Sequence, residues 1–454
     1  MDVYGPLFRH VLKPMWEGRV RRRPVMERYA LLRRTQWWSL DRLHAMQMKA
    51  LRALLGHAYA NVPFYRARFD AHGVGPDDVR TVEDIAKLPL LRRTDVQGRG
   101  GREAIAGPRP TIVKQTSGTT GEPLLFAFEP DSEHWRRALK LRGYEWAGYR
   151  AGDRAVHFWG ARLPTPPPWK TRLKVGLDRR MHREHYIPCD VMSDARLAAT
   201  VATIRRLRPS ALVCYAQAGA ELARYINRNG LRAWDDMAVV CGAERLLPRD
   251  RADLATAFGP GVFDTYGCRE VMLIGAECEA HAGLHVSMEN LVVEIIVTED
   301  GVQRPARPGE TGEVVFTDLH NFGMPFIRYA NGDVATAGDG SPCACGRTLP
   351  RIAAVQGRIS ETLRDGTGAA VSGLAISFLF HDIAGAIRQF QAVQHKDRSV
   401  SINLVLAEQL PRWRLDEIKH NGVRLLQGID VGVHVVRELP RSPAGKHRLV
   451  VVEH

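Results

Sequence analysis

The chain has 454 residues, 45% hydrophobic and 25% charged, an ordinary globular composition that excludes disordered and collagen-like classes. Its length predicts two or three domains, each with its own core. The net charge of +14, mostly arginine, fits attraction to nucleotides, anionic membranes or nucleic acid, and fits equally well an arginine bias spread over the surface.

No run approaches the ~20 apolar residues of a membrane span. Residues 1–20 lack the apolar stretch and small-residue cleavage site of a secretory signal. The expectation is a cytoplasmic protein with no integral membrane segment. The basic clusters Arg19 to Arg23 and Arg33 to Arg34 have no interleaved aromatic residues, so no nucleic-acid partner is expected. Seven scattered cysteines read as core residues, metal ligands or reactive thiols rather than a disulfide framework.

In chain order, Leu43, Met46, Ala50, Leu51, Leu54 and Ala58 mark one face of a helix with Ser39 as its N-cap. Residues 116–123, TSGTTGEP, form a loop whose small glycines let the backbone approach an anion and whose hydroxyls can bond phosphate oxygens. It is not a Walker loop, because no Lys-Ser/Thr pair follows the second glycine. From about Asp153 to Asp264, strand-like runs (154–159, 211–215, 237–241) alternate with helical ones (195–208, 219–229, 249–258), which predicts parallel βαβ units. After Leu284 the runs 291–297 and 312–318 are β-branched without intervening helices, which predicts an antiparallel or barrel-like subdomain. Gly357 to Gly373 reads as a linker or hairpin. The tail is a helix-and-strand mixture of small-domain size.

Six segments together carry a family resemblance. They are the 116–123 loop; Cys241-Gly-Ala-Glu244 at a strand end; Asp264-Thr-Tyr-Gly-Cys-Arg-Glu270; Thr317 to Asp333; Gly357-Arg358-Ile-Ser-Glu361; and Pro440-Arg-Ser-Pro-Ala-Gly-Lys446. In order and spacing they resemble the adenylate-forming superfamily of acyl-CoA synthetases. Asn61 to Tyr65, Leu88-Pro89, the TDLHN run, the CxCGRTLP segment and Gln389-Phe-Gln391 resemble its phenylacetate–CoA ligase branch and relatives from capsule gene clusters.

The resemblance implies an α/β fold. It divides the chain into an N-terminal helical segment (1–60), a large adenylation domain (61–356), a hinge (357–361) and a small mobile α+β domain (362–454). It implies ATP-dependent activation of a carboxylic acid to an acyl-adenylate, then transfer to a thiol, CoA, with Mg²⁺ as cofactor. An amine acceptor and a non-catalytic nucleotide-binding regulator are the alternatives, and a homodimer is left open. By the same resemblance, Thr116, Ser117, Gly118, Thr119, Thr120 and Gly121 hold phosphates. Gly242, Ala243, Glu244, Thr265, Tyr266 and Gly267 line the adenine. Asp333 takes the ribose hydroxyls, as a carboxylate with two acceptor oxygens can, and Arg358 belongs to the nucleotide site at the hinge. Glu270 holds Mg²⁺, and Lys446 bridges the carboxylate and the α-phosphate. Arg269 stands where the family has threonine, so it either contacts the phosphate or carboxylate or turns to solvent. His157, Trp159, Tyr215 and Gln217 flank the acyl pocket, although aromatic residues at strand ends also serve as plain core.

Cys278, His285, Cys343 and Cys345 are read as a closed structural Zn²⁺ site, by the cysteine pair and by analogy with relatives sharing the CxCGR segment. His281 and, more weakly, Cys268 compete for places in it.

Overall fold

The computed structural model describes residues 2–97, 101–109, 111–115, 124–160, 168–189, 192–299, 301–358, 363–368, 370–371, 376, 379–380, 383, 386–440 and 448–453. The loop 116–123, the hinge residues 359–361 and Lys446 lie outside the described residues.

Helix α1 (Tyr4–Leu7) opens a helical N-terminal segment, followed by α2 (Val25–Thr35), α3 (Leu40–Asn61) and α4 (Pro63–Ala71). Helix α3 begins where expected, but the Ser39 hydroxyl makes no capping bond. Its inward stripe is wider than the sequence spacing indicated. Gln47, Met48 and Leu55 are buried with Leu43, Leu51, Leu54 and Ala58, and Gln47 Nε2 donates to the Leu291 carbonyl at 2.7 Å. After β1 (Leu91–Arg92), α5 (Arg93–Val96) and α6 (Gly101–Ile105), strands β2 (Ile112–Gln115) and β3 (Leu125–Phe128) pair antiparallel. Gln115 and Leu125 are register partners, so the strands before and after residues 116–123 lie next to each other.

Helix α7 (Pro130–Trp146) carries two arginines into the interior. Arg136 pairs with Asp318 at 2.8 Å and Arg142 with Glu289 at 2.5 Å, all four side chains at most 2% exposed. Buried charges are tolerated only when paired in this way.

The alternating middle of the chain forms β4 (Ala155–Phe158), α8 (Trp169–His182), β5 (Glu184–Ile187), α9 (Asp194–Leu207), β6 (Ala211–Tyr215), α10 (Ala216–Arg228), β7 (Ala238–Gly242), α11 (Pro248–Phe258) and β8 (Val262–Tyr266). Strands β5, β4, β6, β7 and β8 lie in that order, all parallel. The fully buried run Ala211–Tyr215 is what a strand covered on both faces requires. Its helices α9, α10 and α11 bury Leu197, Val201, Ile204, Leu222, Ile226 and Leu254 against it.

At β9 (Gly275–Glu277) the pairing turns antiparallel and continues through β10 (Leu284–Val286), β11 (Leu291–Glu299), β12 (Val302–Pro305), β13 (Thr311–Asp318), β14 (Tyr329–Ala337) and β15 (Arg351–Arg358). Among the described residues these strands and the parallel ones make one sheet of thirteen strands, with β1 paired to β14.

The last part of the chain has its own core. Strands β16 (Leu363–Arg364) and β17 (Ala370–Val371) pair antiparallel. Strands β18 (Ile387–Gln394), β19 (Val400–Leu406), β20 (Val431–Val435) and β21 (Val450–Val452) form a sheet in the order β20-β19-β18-β21. Phe380, Phe390, Ile402, Leu404 and Ile418 of the helix Arg412–Leu425 fill that core. Leu247, at the start of α11, joins the same cluster. Arg388 Nε donates to Glu221 of α10 at 2.6 Å, and Arg249 lies over the Phe390 ring at 5.5 Å.

Candidate active site

The carboxyl ends of the parallel strands open into a cleft of about 1070 Å³, which the β15 end and residues 448–450 also line. Ligands of open α/β sheets bind at this end of the strands. The cleft is large enough for a nucleotide with a second small molecule beside it.

Strand β7 delivers Gly242, Ala243 and Glu244 to the rim. A Cβ on Gly242 would meet Thr265 Oγ1 at 2.7 Å, so only glycine lets β7 and β8 close at this point. Ala243 takes a left-handed φ of 64°, which turns the chain out of the strand. Glu244 Oε2 accepts the Gln217 backbone N–H at 3.0 Å. Arg245 donates to the Gln356 carbonyl at 2.9 Å, and burial lowers its pKa to about 10.

Strand β8 supplies Asp264, Thr265 and Tyr266. Thr265 Oγ1 donates to the Cys241 carbonyl at 2.6 Å. A Cβ on Gly267 would lie 1.7 Å from the Met272 carbonyl oxygen, so the turn after β8 excludes any side chain there. Burial, reinforced by the charge of Glu277, pushes Asp264 up to about 8. Tyr266 donates its hydroxyl to Asp333 Oδ2 at 2.8 Å, and Asn331 Nδ2 donates to the same oxygen at 2.7 Å. Two donors on one oxygen fix the carboxylate of Asp333 at the cleft wall. Asp333 is the register partner of Arg358, the last residue of β15.

Glu270 is buried to 6% exposure at the cleft floor. The neighbouring Cys268 thiol is pushed well above its usual range by burial and the Glu270 charge. Arg269 also lines the cleft, but it is exposed, and its Nη1 donates to the Gln115 carbonyl at 2.9 Å. Neither expectation for this residue anticipated that bond, which ties the turn after β8 to the strand entering the 116–123 segment.

The four expected acyl-pocket residues all face the cleft. The rings of Trp159 and Tyr215 lie 4.3 Å apart, and His157 stacks on Tyr186 at 4.4 Å. Gln217 Nε2 is held by the Arg245 carbonyl and Asp250 Oδ2 at 3.1 and 2.9 Å. Sequence reasoning missed Lys140, Tyr144 and Tyr186, which line the same cleft. The Lys140 ammonium makes no hydrogen bond or ion pair with any described residue and sits 5.1 Å from the Tyr144 ring. Burial works against its charge, but Tyr144, Glu184 and Tyr186 outweigh this and raise its pKa. His157 Nε2 is buried without a partner among the described residues, 3.9 Å from Glu184 Oε2. Burial lowers its pKa to about 4, so the ring is neutral. Glu184 accepts instead from the Tyr149 and Tyr186 hydroxyls at 3.3 and 3.1 Å. One end of the cleft is therefore an aromatic box with an unpaired cation and an unpaired imidazole nitrogen.

Away from the cleft, the ligand atoms of Cys278, His285, Cys343 and Cys345 all lie within 4.8 Å of one another. The Cys278 and Cys343 sulfurs are 3.7 Å apart. Zn–S bonds of about 2.3 Å in a tetrahedron require roughly that edge. His285 Nδ1 is bonded to the Leu349 carbonyl at 2.8 Å, which directs Nε2 to the sulfurs, 3.3 Å from Cys345 Sγ. This is how a second bond orients a metal-binding histidine. His281 instead packs on Phe263 at 4.7 Å and faces Glu277 at 3.5 Å. Cys268 lies beside Glu270 in the cleft. The donor set fits a structural zinc ion.

The fold and the cleft define an adenylate-forming ligase. A 2-hydroxyisobutyryl-CoA ligase, solved in the postadenylation state with 2-HIB-AMP, overlays with a TM-score of 0.75 at 18% identity, covering 92% of this chain and 91% of that one. The phenylacetate-coenzyme A ligase of Pseudomonas putida is 30% identical over 344 residues, 74% of each chain. That of Aromatoleum evansii is 31% identical over 335 residues, 72% of each. Residues 363–453 match the family model of the CapK C-terminal domain. The chain belongs to the phenylacetate–CoA ligase family. Among its described residues no helix is long and apolar enough to cross a membrane.

Proposed function

We propose that this chain activates a carboxylic acid with ATP and passes the acyl group to CoA. The observation that carries the reading is convergence. Glu270, Asp333, the turn 242–244 and the aromatic box line one cleft, and residues 448–450, just after Lys446, reach the same cleft. Asp333, its second oxygen held by Tyr266 and Asn331, suits a ribose diol. The turns 242–244 and 265–267 suit adenine, with Arg358 close by at the end of β15. Thr116, Ser117, Gly118, Thr119, Thr120 and Gly121 hold the β and γ phosphates. Glu270 is the group that would hold Mg²⁺, which supplies charge neutralisation at the phosphates. The acid's carboxylate attacks the α-phosphorus and pyrophosphate leaves. Lys446 stabilises the negative charge that builds between them, and such preorganised contacts contribute most of the rate. A thiol then attacks the acyl carbon and AMP leaves.

Residues 357–361 act as a hinge between the large domain (61–356, preceded by the helical segment 1–60) and the small domain (362–454). The small domain brings Lys446 for the first step and withdraws it for the second. Residues 448–450 line the cleft in the described pose, which supports reading it as the pose of the first step. An amine acceptor is the second reading. It draws on the CapK-type match of the small domain, because the acceptor is admitted when that domain moves.

The acid is flat and carries a polar group at its far end. The aromatic box suits the ring, and Lys140 and His157 suit a hydrogen-bond acceptor or anion opposite the reacting carboxylate. The test is pyrophosphate release with a panel of aryl and hydroxyaryl acids, with and without CoA. Acid-dependent release and CoA-dependent thioester are expected, and Lys446→Ala should slow release by about 10²–10³. Release that is unchanged in Lys446→Ala would rule out the assignment.

A further inference from the structure

Helix α8 has no buried residue anywhere along its length, and residues 168–180 are all exposed. At 100° per residue, Trp169, Leu173 and Leu177 form a single stripe. They are 69%, 66% and 60% exposed. The opposite side of the helix is the one that meets protein. His182 packs edge-on against Phe8 at 5.0 Å, and Arg179 stacks over the Tyr186 ring at 4.0 Å. The apolar stripe is thus turned away from the core, the reverse of a helix that packs on its own domain.

Its flanks are basic. Lys170, Arg172 and Lys174 border the stripe, Arg180 lies on its line one turn beyond Leu177, and Asp178 is the only acidic residue of the helix. Beside α8 lies the N-terminal segment, joined to it by the Tyr4 hydroxyl on the Met181 carbonyl at 2.8 Å and by the Asp2–Arg183 pair at 2.6 Å. That segment exposes Val3, Leu7, Val11 and Met15, an apolar residue at every fourth position, and ends in the exposed cations Arg19, Arg21 and Arg22. Outward apolar stripes bordered by lysine and arginine are the pattern of a helix that lies in a bilayer interface. A net charge of +14 adds attraction to an anionic leaflet.

We propose that α8 and the adjoining N-terminal stripe dock this enzyme on the surface of a bilayer carrying anionic lipid. Trp169, Leu173 and Leu177 enter the headgroup boundary while the flanking cations meet phosphates. Arg179 stacks on Tyr186, which lines the cleft, so the docked helix lies one side chain away from the acyl pocket.

Flotation of the full-length protein with vesicles tests this, using phosphatidylglycerol mixed with phosphatidylcholine against phosphatidylcholine alone. Binding to the anionic vesicles should be at least about tenfold stronger and should weaken as salt is raised. The triple variant Trp169→Ser, Leu173→Ser, Leu177→Ser should lose about tenfold or more of it, with pyrophosphate exchange unchanged as the check on folding. Arg172→Glu with Arg180→Glu should lose it by charge alone. Failure of the parental protein to bind anionic vesicles overturns the proposal, as does parental binding by both variants. If the triple variant instead turns a dimer into a monomer in sedimentation, with vesicle binding unaltered, the stripe is a contact between two copies and the membrane assignment is wrong.

Discussion

Arg388 joins the small domain to α10, and its removal should separate the two half-reactions. Its guanidinium bonds Glu221, whose side chain is 1% exposed, while Arg388 itself is 30% exposed. Burial pushes the Glu221 carboxyl up, but Arg224 and Arg388 outweigh it and hold it below the usual range, so the pair is charged throughout neutral pH. A fully exposed pair contributes about 0.2–1 kcal/mol, and breaking a fully buried one costs about 3–5 kcal/mol. This pair lies between those limits. Arg224 stays within 3.3 Å of Glu221 in the variant's starting geometry, so the carboxylate is not left unpaired. Arg388→Ala should therefore weaken the docked pose by about 1–2 kcal/mol, or roughly 5–30-fold in its equilibrium constant. On the proposed hinge mechanism pyrophosphate exchange needs that pose and should slow by up to a similar factor. Thioester formation from a preformed acyl-adenylate needs the other pose and should not slow. Equal exchange rates in parent and variant, or equal slowing of both steps, would refute the link between this contact and the first half-reaction.

Protein purified without added zinc should carry about one zinc per chain, and Cys343→Ser should lose it and melt earlier, because the metal's binding energy contributes to folding. Metal analysis showing a folded, zinc-free parent would end that reading. Lys140→Met should cut kcat/KM for an acid with a distal acceptor by about 10² or more while sparing the unsubstituted ring acid, since sites built to bond a polar group reject analogues lacking it; equal losses on both acids would deny Lys140 its place at the far end. For Asp264, burial with Glu277 raises the folded pKa to about 8 from an ordinary 3.8, so the fold favours the protonated form. Its contribution is fully present below about pH 4 and is lost as pH rises towards 8. Asp264→Asn should therefore gain stability relative to the parent at pH 8 but not at pH 4.5, measured by urea unfolding of the ligand-free protein. The same difference at both pH values would mean that Asp264 ionises normally.

Much of the fold was legible because its signals are local. Ala211–Tyr215 and Ala238–Gly242 are short apolar runs between helices, and such runs become central parallel strands. The helix Ala216–Arg228 begins three residues before the expected Gly219, because small residues after a strand carry no start signal of their own. The Cys/His cluster was legible in its cysteine pair. The choice between His281 and His285 was made by the backbone. His285 stands in a strand and bonds the Leu349 carbonyl, two residues before its neighbour β15, whereas His281 sits at a left-handed φ of 49° and turns to Phe263.

What sequence reasoning missed is charge on helices, and physics explains why. A lysine in α7 or an arginine in α8 reads as part of a solvated face, because in most helices it is one. Only tertiary placement distinguishes the three fates that α7 and α8 show. Arg142 is buried and paired with Glu289. Lys140 is turned into the cleft without a partner among the described residues. Arg172 and Arg180 border apolar residues that are left largely exposed. In the first case the buried charge is matched within the fold, and removing its partner would be costly. The second and third leave charge or apolar surface unmatched at a definite place. Unmatched groups of this kind are the observations behind both proposals, an acceptor at the far end of an acid for Lys140 and an anionic bilayer for α8.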